Sequence, residues 1–76
     1  MAILKIEIEL SDGSAIDGAS ERLVESLLAE GVERKKTQRI RLSAEEILLR
    51  WRDRDESGGC TLTLERQFGE LHLTLV

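Results

Sequence analysis

The stretch VERKKTQRIRLSAEEILLRW, residues 32–51, decides the fold, because it has helical spacing and contains no helix breaker. Apolar side chains form one stripe along its second half: Ile40, Ala44, Ile47, Leu48 and Trp51. Two starts compete for this helix. Good helix formers upstream favour a start near Glu33, whereas Ser43 followed by Glu46 is the pattern of a capping box. Because Ile40 already belongs to the stripe, we expect the earlier start.

A second helical pattern lies immediately before this stretch. Apolar residues recur at helical spacing from Ile16 to Leu28, and Gly31 then supplies a C-terminal stop. Ser14 or Asp17 is the predicted N-cap of this helix, because both side chains accept hydrogen bonds from backbone N–H groups. The sequence therefore predicts two consecutive helices.

Both ends of the chain alternate apolar and polar residues with the period of a strand. ILKIEIEL, residues 3–10, precedes the helices. CTLTLERQ and ELHLTLV, within residues 60–76, follow them and are joined by Phe68-Gly69, which predicts an antiparallel hairpin. We therefore expect a single α+β domain over residues 1–76, in the order β-α-α-β-β. The two helices are expected to pack on one face of a three-stranded, mainly antiparallel sheet.

The charge balance argues against nucleic acid as a partner. The net charge is −4, and phosphate binding needs a surplus of Lys and Arg on one surface. The densest basic run, residues 34–36, is followed by Arg39 and Arg41 but lies between acidic residues. We therefore interpret it as a solvated helix face.

Three features of the sequence bear on the cellular compartment and on metal binding. Cys60 is the one cysteine, which is typical of a reducing compartment. His72 alternates with leucines and is predicted to face solvent, and we expect no metal site. Lys5, Glu7 and Glu9 interrupt the first apolar residues, so neither a signal peptide nor a membrane span is expected. These features favour a cytoplasmic protein without a membrane partner.

ERLVESLLAEGVERKKTQRIRLSAEEILLRWRD, residues 21–53, resembles the start of the histidine-kinase-like ATPase domain, the GHKL or Bergerat fold. It looks most like the anti-sigma-factor serine kinase branch. There, a helix ending near a glycine precedes a longer helix that reads roughly Arg-Leu-Ala-x-Glu-Glu-x-x-x-Asn, and a hairpin follows. The resemblance implies ATP and magnesium as ligands. It places the family's water-activating Glu on Glu46 and its magnesium-binding Asn on Arg50.

Two departures from the family pattern limit what the resemblance implies. Arg50 has no acceptor oxygen for a metal and cannot lose its charge. The Asp-x-Gly-x-Gly segment and the glycine-rich lid of the family's nucleotide pocket do not occur in the 76 residues. Gly58-Gly59 lacks the spacing of a phosphate cradle. We therefore expect a truncated ATPase fold, not catalytically competent alone, that acts without a cofactor as a structural or protein-interaction domain.

A helical wheel gives Glu46 and Arg50 a simpler interpretation. They stand one above the other beside the apolar stripe, in the favourable order for an ion pair four residues apart. The same wheel points Leu42 and Leu49 away from the stripe, and Leu75 lies on a strand whose edge has little protection. These leucines are candidate interface residues, for a homo-oligomer or for the remainder of a longer chain. The alternative function is therefore that of an unrelated small α+β domain that self-associates and binds no nucleotide.

Overall fold

The computed structural model describes residues 2–55 and 57–76. Five elements follow one another along the chain: strand β1 (Ala2–Glu9), helix α1 (Gly13–Ala29), helix α2 (Arg34–Arg54), strand β2 (Gly59–Gln67) and strand β3 (Glu70–Leu75). The strands form one antiparallel sheet in the order β1-β2-β3, and both helices lie on the same face of it. The predicted α+β architecture is confirmed.

Helix α1 begins at Gly13, and its N-cap is Asp12 rather than the predicted Ser14 or Asp17. The Asp12 Oδ1 atom accepts hydrogen bonds from the Ser14 hydroxyl at 2.7 Å and from the Ser14 backbone N–H at 3.0 Å. These bonds, the hydroxyl bond first, hold the pKa of Asp12 below its usual value, because they stabilise the charged carboxylate. The prediction was wrong because Ser14 donates to the cap instead of forming it.

Helix α1 ends at Ala29, and the predicted stop, Gly31, follows its C-cap Glu30. Gly31 has a φ of +86°, a left-handed conformation that glycine adopts without strain. The Gly31 N–H donates to the Leu28 carbonyl at 3.1 Å, and the Val32 N–H donates to the Leu27 carbonyl at 3.0 Å. These two bonds form a Schellman motif, which reverses the chain so that α2 packs on α1.

Helix α2 is one continuous helix of 21 residues, so the earlier of the two predicted starts is correct. The Glu33 carbonyl accepts hydrogen bonds from both the N–H and the Oγ1 of Thr37, at 2.8 and 2.9 Å. Thr37 is fully buried, so its hydroxyl needs this partner. Ser43 lies in the interior of the helix and does not cap it.

The hairpin between β2 and β3 turns at Phe68 and Gly69, as predicted. Both have positive φ, 51° and 79°, which is the backbone of a two-residue type I′ turn. The turn sets the register of the hairpin, in which Leu64 lies opposite Leu73. Inward-facing leucines of the two strands are therefore side by side.

The helices cover the sheet unevenly. Helix α1 packs against β1 and α2, whereas α2 makes its main contacts with α1 rather than with the sheet. On the central strand, Leu62 and Leu64 are each only 1% exposed. On β3, which lies at the edge, Leu71, Leu73 and Leu75 remain half-buried. The inner face of β3 is therefore left partly open.

Candidate functional site

Glu46 and Arg50, the two residues that the family resemblance singles out, bind each other. The Arg50 guanidinium donates to Glu46 Oε1 at 2.9 Å, and the two side chains are 65% and 74% exposed. An exposed pair of this spacing contributes about 0.2–0.5 kcal/mol to helix stability. The Glu46 carboxylate is therefore largely exposed and is paired with a cation on the next turn of the helix.

A groove lies between α2 and β3. Its volume is about 640 Å³. Helix α2 forms the wall of the groove and the inner face of β3 forms its floor, and the lining is mostly apolar. The lining residues are Lys36, Arg39, Ile40, Ser43, Ala44, Ile47, Trp51, Leu73 and Leu75. Hereafter it is called the α2–β3 groove.

The groove exists because α2 has a wider apolar stripe than the core buries. Ala44 and Leu48, 3% and 1% exposed, face the centre of the domain. Ile40, Ile47 and Trp51 lie about 60–100° around the helix from Leu48, at about 100° per residue, and line the groove instead. The sequence predicted one apolar stripe of five residues. The structure divides it into a buried part and a groove-facing part.

Basic side chains border the groove along the outer flank of α2. They fall within about 60° of one another on the helical wheel. We call them the basic rim: Lys36, Arg39, Arg50 and Arg54. Glu46 pairs with one of them, and Asp53 lines a smaller depression nearby. The flank therefore carries an excess of positive charge in a protein whose net charge is −4.

Strand β3, whose inner face forms the floor of the groove, has one open edge. Thr61 of β2 and Val76 exchange both backbone hydrogen bonds, at 2.9 and 3.1 Å. Such pairs alternate along an antiparallel ladder, so every second residue of β3 bonds to β2. The residues between them, Leu71, Leu73 and Leu75, direct their N–H and C=O groups to the open edge. No strand of the described chain pairs with that edge.

The three leucines predicted as interface residues lie on two separate surfaces. Leu75 lines the groove. Leu42 and Leu49 are exposed by 60% and 41% and lie roughly opposite the groove-facing side of α2. A contact through Leu42 and Leu49 would therefore be distinct from one through Leu75.

The remaining chemically notable residues lie apart from the groove. His72 faces solvent on the outer side of β3, with its Nε2 atom 3.7 Å from Glu70. Cys60 is buried at 4% exposure, and this burial raises the pKa of its thiol. A thiol reacts as its thiolate, so Cys60 is protected rather than activated.

Residues 2–55 and 57–76, which the structure describes, do not form an evident metal site. They contain no cluster of three or more His, Cys, Asp or Glu side chains placed to hold a metal ion. Neither α1 nor α2, the helices of the described chain, combines the length and apolar content that a bilayer crossing requires.

No family model, curated protein or solved structure matches the chain at a significant level. The resemblance to histidine-kinase-like ATPases therefore stays a prediction. The sequence did not predict the groove, because Ile40, Ile47 and Trp51 belong to the same apolar stripe as the residues that the core buries. One signal was present: the basic residues of α2 at positions 36, 39, 50 and 54 lie along one border of its apolar stripe.

Proposed function

We propose that this chain is a protein-interaction domain that binds a polypeptide in the α2–β3 groove. The observation that carries the proposal is the open inner face of β3. There, half-buried leucines, an unpaired strand edge and the apolar flank of α2 meet. Partners commonly add to unpaired strand edges, since backbone hydrogen bonds supply affinity and alternate side chains supply specificity.

In this proposal the resemblance to histidine-kinase-like ATPases extends to the fold but not to the catalytic activity. Glu46 occupies the position of the family's catalytic carboxylate, but its partner in the structure is Arg50. A guanidinium offers no oxygen to magnesium, whose ligands are oxygen atoms. The groove beside this pair is lined mainly by apolar groups, which suit a polypeptide side chain better than a triphosphate.

A selection of displayed random peptides tests the interaction function. We expect enriched peptides to bind the wild-type domain at least about tenfold more tightly than Leu73→Glu, which places a charge on the groove floor. Thr74→Glu is the matched control, because Thr74 is the next residue of the same strand and points to the opposite face. Circular dichroism verifies that both variants fold. If neither substitution changes the affinity of the selected peptides, the groove is not their binding site.

Calorimetry with ATP and magnesium tests whether the domain binds nucleotide. We expect no saturable heat from the wild-type domain, and the same result from Glu46→Ala, because this carboxylate lies in solvent. Glu45→Ala is the control, since Glu45 is paired with Arg41 at 3.2 Å on a different flank of α2. Saturable ATP binding that disappears only in Glu46→Ala would restore a catalytic role for that helix.

A further inference from the structure

The geometry of β3 indicates that the occupant of the groove is an extended segment. Leu73 and Leu75 supply the apolar floor of the groove, and Leu71 lines the depression that adjoins it. All three residues direct their backbone groups to the open edge. An added strand would satisfy these backbone groups and at the same time place every second side chain beneath α2. A helix lying in the groove would cover the leucine side chains but leave the backbone groups unpaired.

The basic rim indicates the charge of that segment. Lys36 and Arg39 lie at one end of the groove, and Arg50 and Arg54 lie toward the other. The midpoints of these two pairs are separated by about 22 Å along α2, at 1.5 Å per residue. A strand of about seven residues spans this distance. Carboxylates at its two ends, on the side that faces α2, would each meet a pair of cations.

The same rim disfavours a second copy of this chain as the occupant. Two copies joined through their β3 edges would be related by two-fold symmetry, so each surface would meet itself. The basic rims of the two α2 helices would then border one shared groove, and like charges repel. Inward positions of β3 itself carry leucine and no carboxylate that would offset this repulsion.

We propose that the α2–β3 groove binds an apolar strand with acidic residues at both ends, which pairs with β3 and becomes a fourth strand of the sheet. Its inner aliphatic side chains contact Ile40, Ile47 and Trp51. Its terminal carboxylates contact the basic rim. This inference rests on the proposed function, and it adds the conformation and the charge of the partner.

A synthetic β-hairpin tests the inference. Its binding arm has seven residues: glutamate first and last, valine at the two inner positions of the same face, and threonine between them. A matched hairpin carries lysine in place of both glutamates. Trp51, the one tryptophan, lies in the groove, so its emission reports occupancy when the hairpins lack tryptophan. Amide resonances of Leu71, Leu73 and Leu75 report strand pairing.

We expect the acidic hairpin to shift the Trp51 emission to shorter wavelength, to perturb the three leucine amides and to bind more weakly as salt rises. The variant Lys36→Glu with Arg39→Glu is expected to weaken its binding by about tenfold or more. The control Arg34→Glu with Lys35→Glu makes the same charge change outside the groove lining and is expected to have a smaller effect.

Three other outcomes would overturn the inference. Equal or tighter binding of the lysine hairpin in the groove would leave the interaction function standing and remove the acidic partner. A dimer mass by light scattering that falls to a monomer in Leu73→Glu would make a second copy the occupant. If neither hairpin perturbs the groove and the peptide selection yields no binder sensitive to Leu73→Glu, the inference and the proposed function both fail.

Discussion

Replacing Leu48 by alanine will destabilise the domain by about 3 kcal/mol, whereas the same change at Leu49 will cost less than about 1 kcal/mol. Leu48 is 1% exposed and its loss leaves a cavity between α2 and the core, while Leu49 is 41% exposed. A domain of this length has a total stability of roughly 4–11 kcal/mol, so the first change removes a large part of it. Denaturation in urea, followed by circular dichroism, measures both values.

The adjacent leucines test the orientation of α2, because the two variants have the same composition and differ only in the side of the helix that is altered. If Leu49→Ala proved the more damaging, α2 would be rotated about its axis relative to the structure described above. Measurement at two protein concentrations adds a further control. A stability of the wild type that rises with concentration, and that Leu49→Ala abolishes, would identify Leu42 and Leu49 as a self-association surface.

Cys60 will react with a thiol reagent at least about 100-fold more slowly in the native domain at pH 7 than in denaturant. The thiol is 4% exposed, and its burial raises its pKa, so the reactive thiolate is scarce until the structure opens. A 100-fold protection corresponds to an opening free energy of about 2.7 kcal/mol. The rate of modification, measured with and without denaturant, gives this factor directly.

The raised pKa of Cys60 also predicts the direction of a pH effect. The folded state holds the thiol proton more tightly than the unfolded state does, because the thiol is buried. A solvent-exposed thiol has a pKa of about 8.5. The associated stability is therefore present below about pH 8.5 and is lost as the pH rises toward the higher pKa of the folded state. Cys60→Ala should remove this alkaline loss.

An exposed reference thiol completes the test. Thr74→Cys in the Cys60→Ala background places a thiol on the outer face of the edge strand, where the native residue is exposed. This thiol should react at nearly the same rate with and without denaturant. Native Cys60 reacting as fast as this reference would contradict the burial of the Cys60 thiol.

Local patterns in the sequence were sufficient for the order of the elements. The alternation of residues 3–10 and 60–76 predicted the strands, because a residue that faces the core recurs at every second position. Phe68-Gly69 predicted the hairpin, since glycine readily takes the positive φ that a two-residue turn requires. Ile40 predicted the long form of α2, because it shares the apolar stripe with the residues after Ser43.

The N-cap of α1 and the burial of Trp51 could not be predicted from local sequence. Ser14, Asp17 and Asp12 all have side chains that can cap a helix, and the cap is Asp12, whose N–H donates to the Glu9 carbonyl at the end of β1 at 3.1 Å. Trp51, part of the predicted apolar stripe, packs against the edge of the core and is half-buried in the groove wall. Neither outcome depends on the residue type alone. Each depends on where the adjoining elements lie.

The sequence by itself determined the five elements, their order and the sign of the charges along α2, because these follow from spacing of at most a few residues. Only the tertiary structure decided which part of the α2 stripe is buried. Packing on α1 draws Ala44 and Leu48 inward and leaves Ile47 and Trp51 above β3. The groove and its basic rim follow from the orientation of α2 about its own axis. That orientation is set by contacts between residues far apart in the chain.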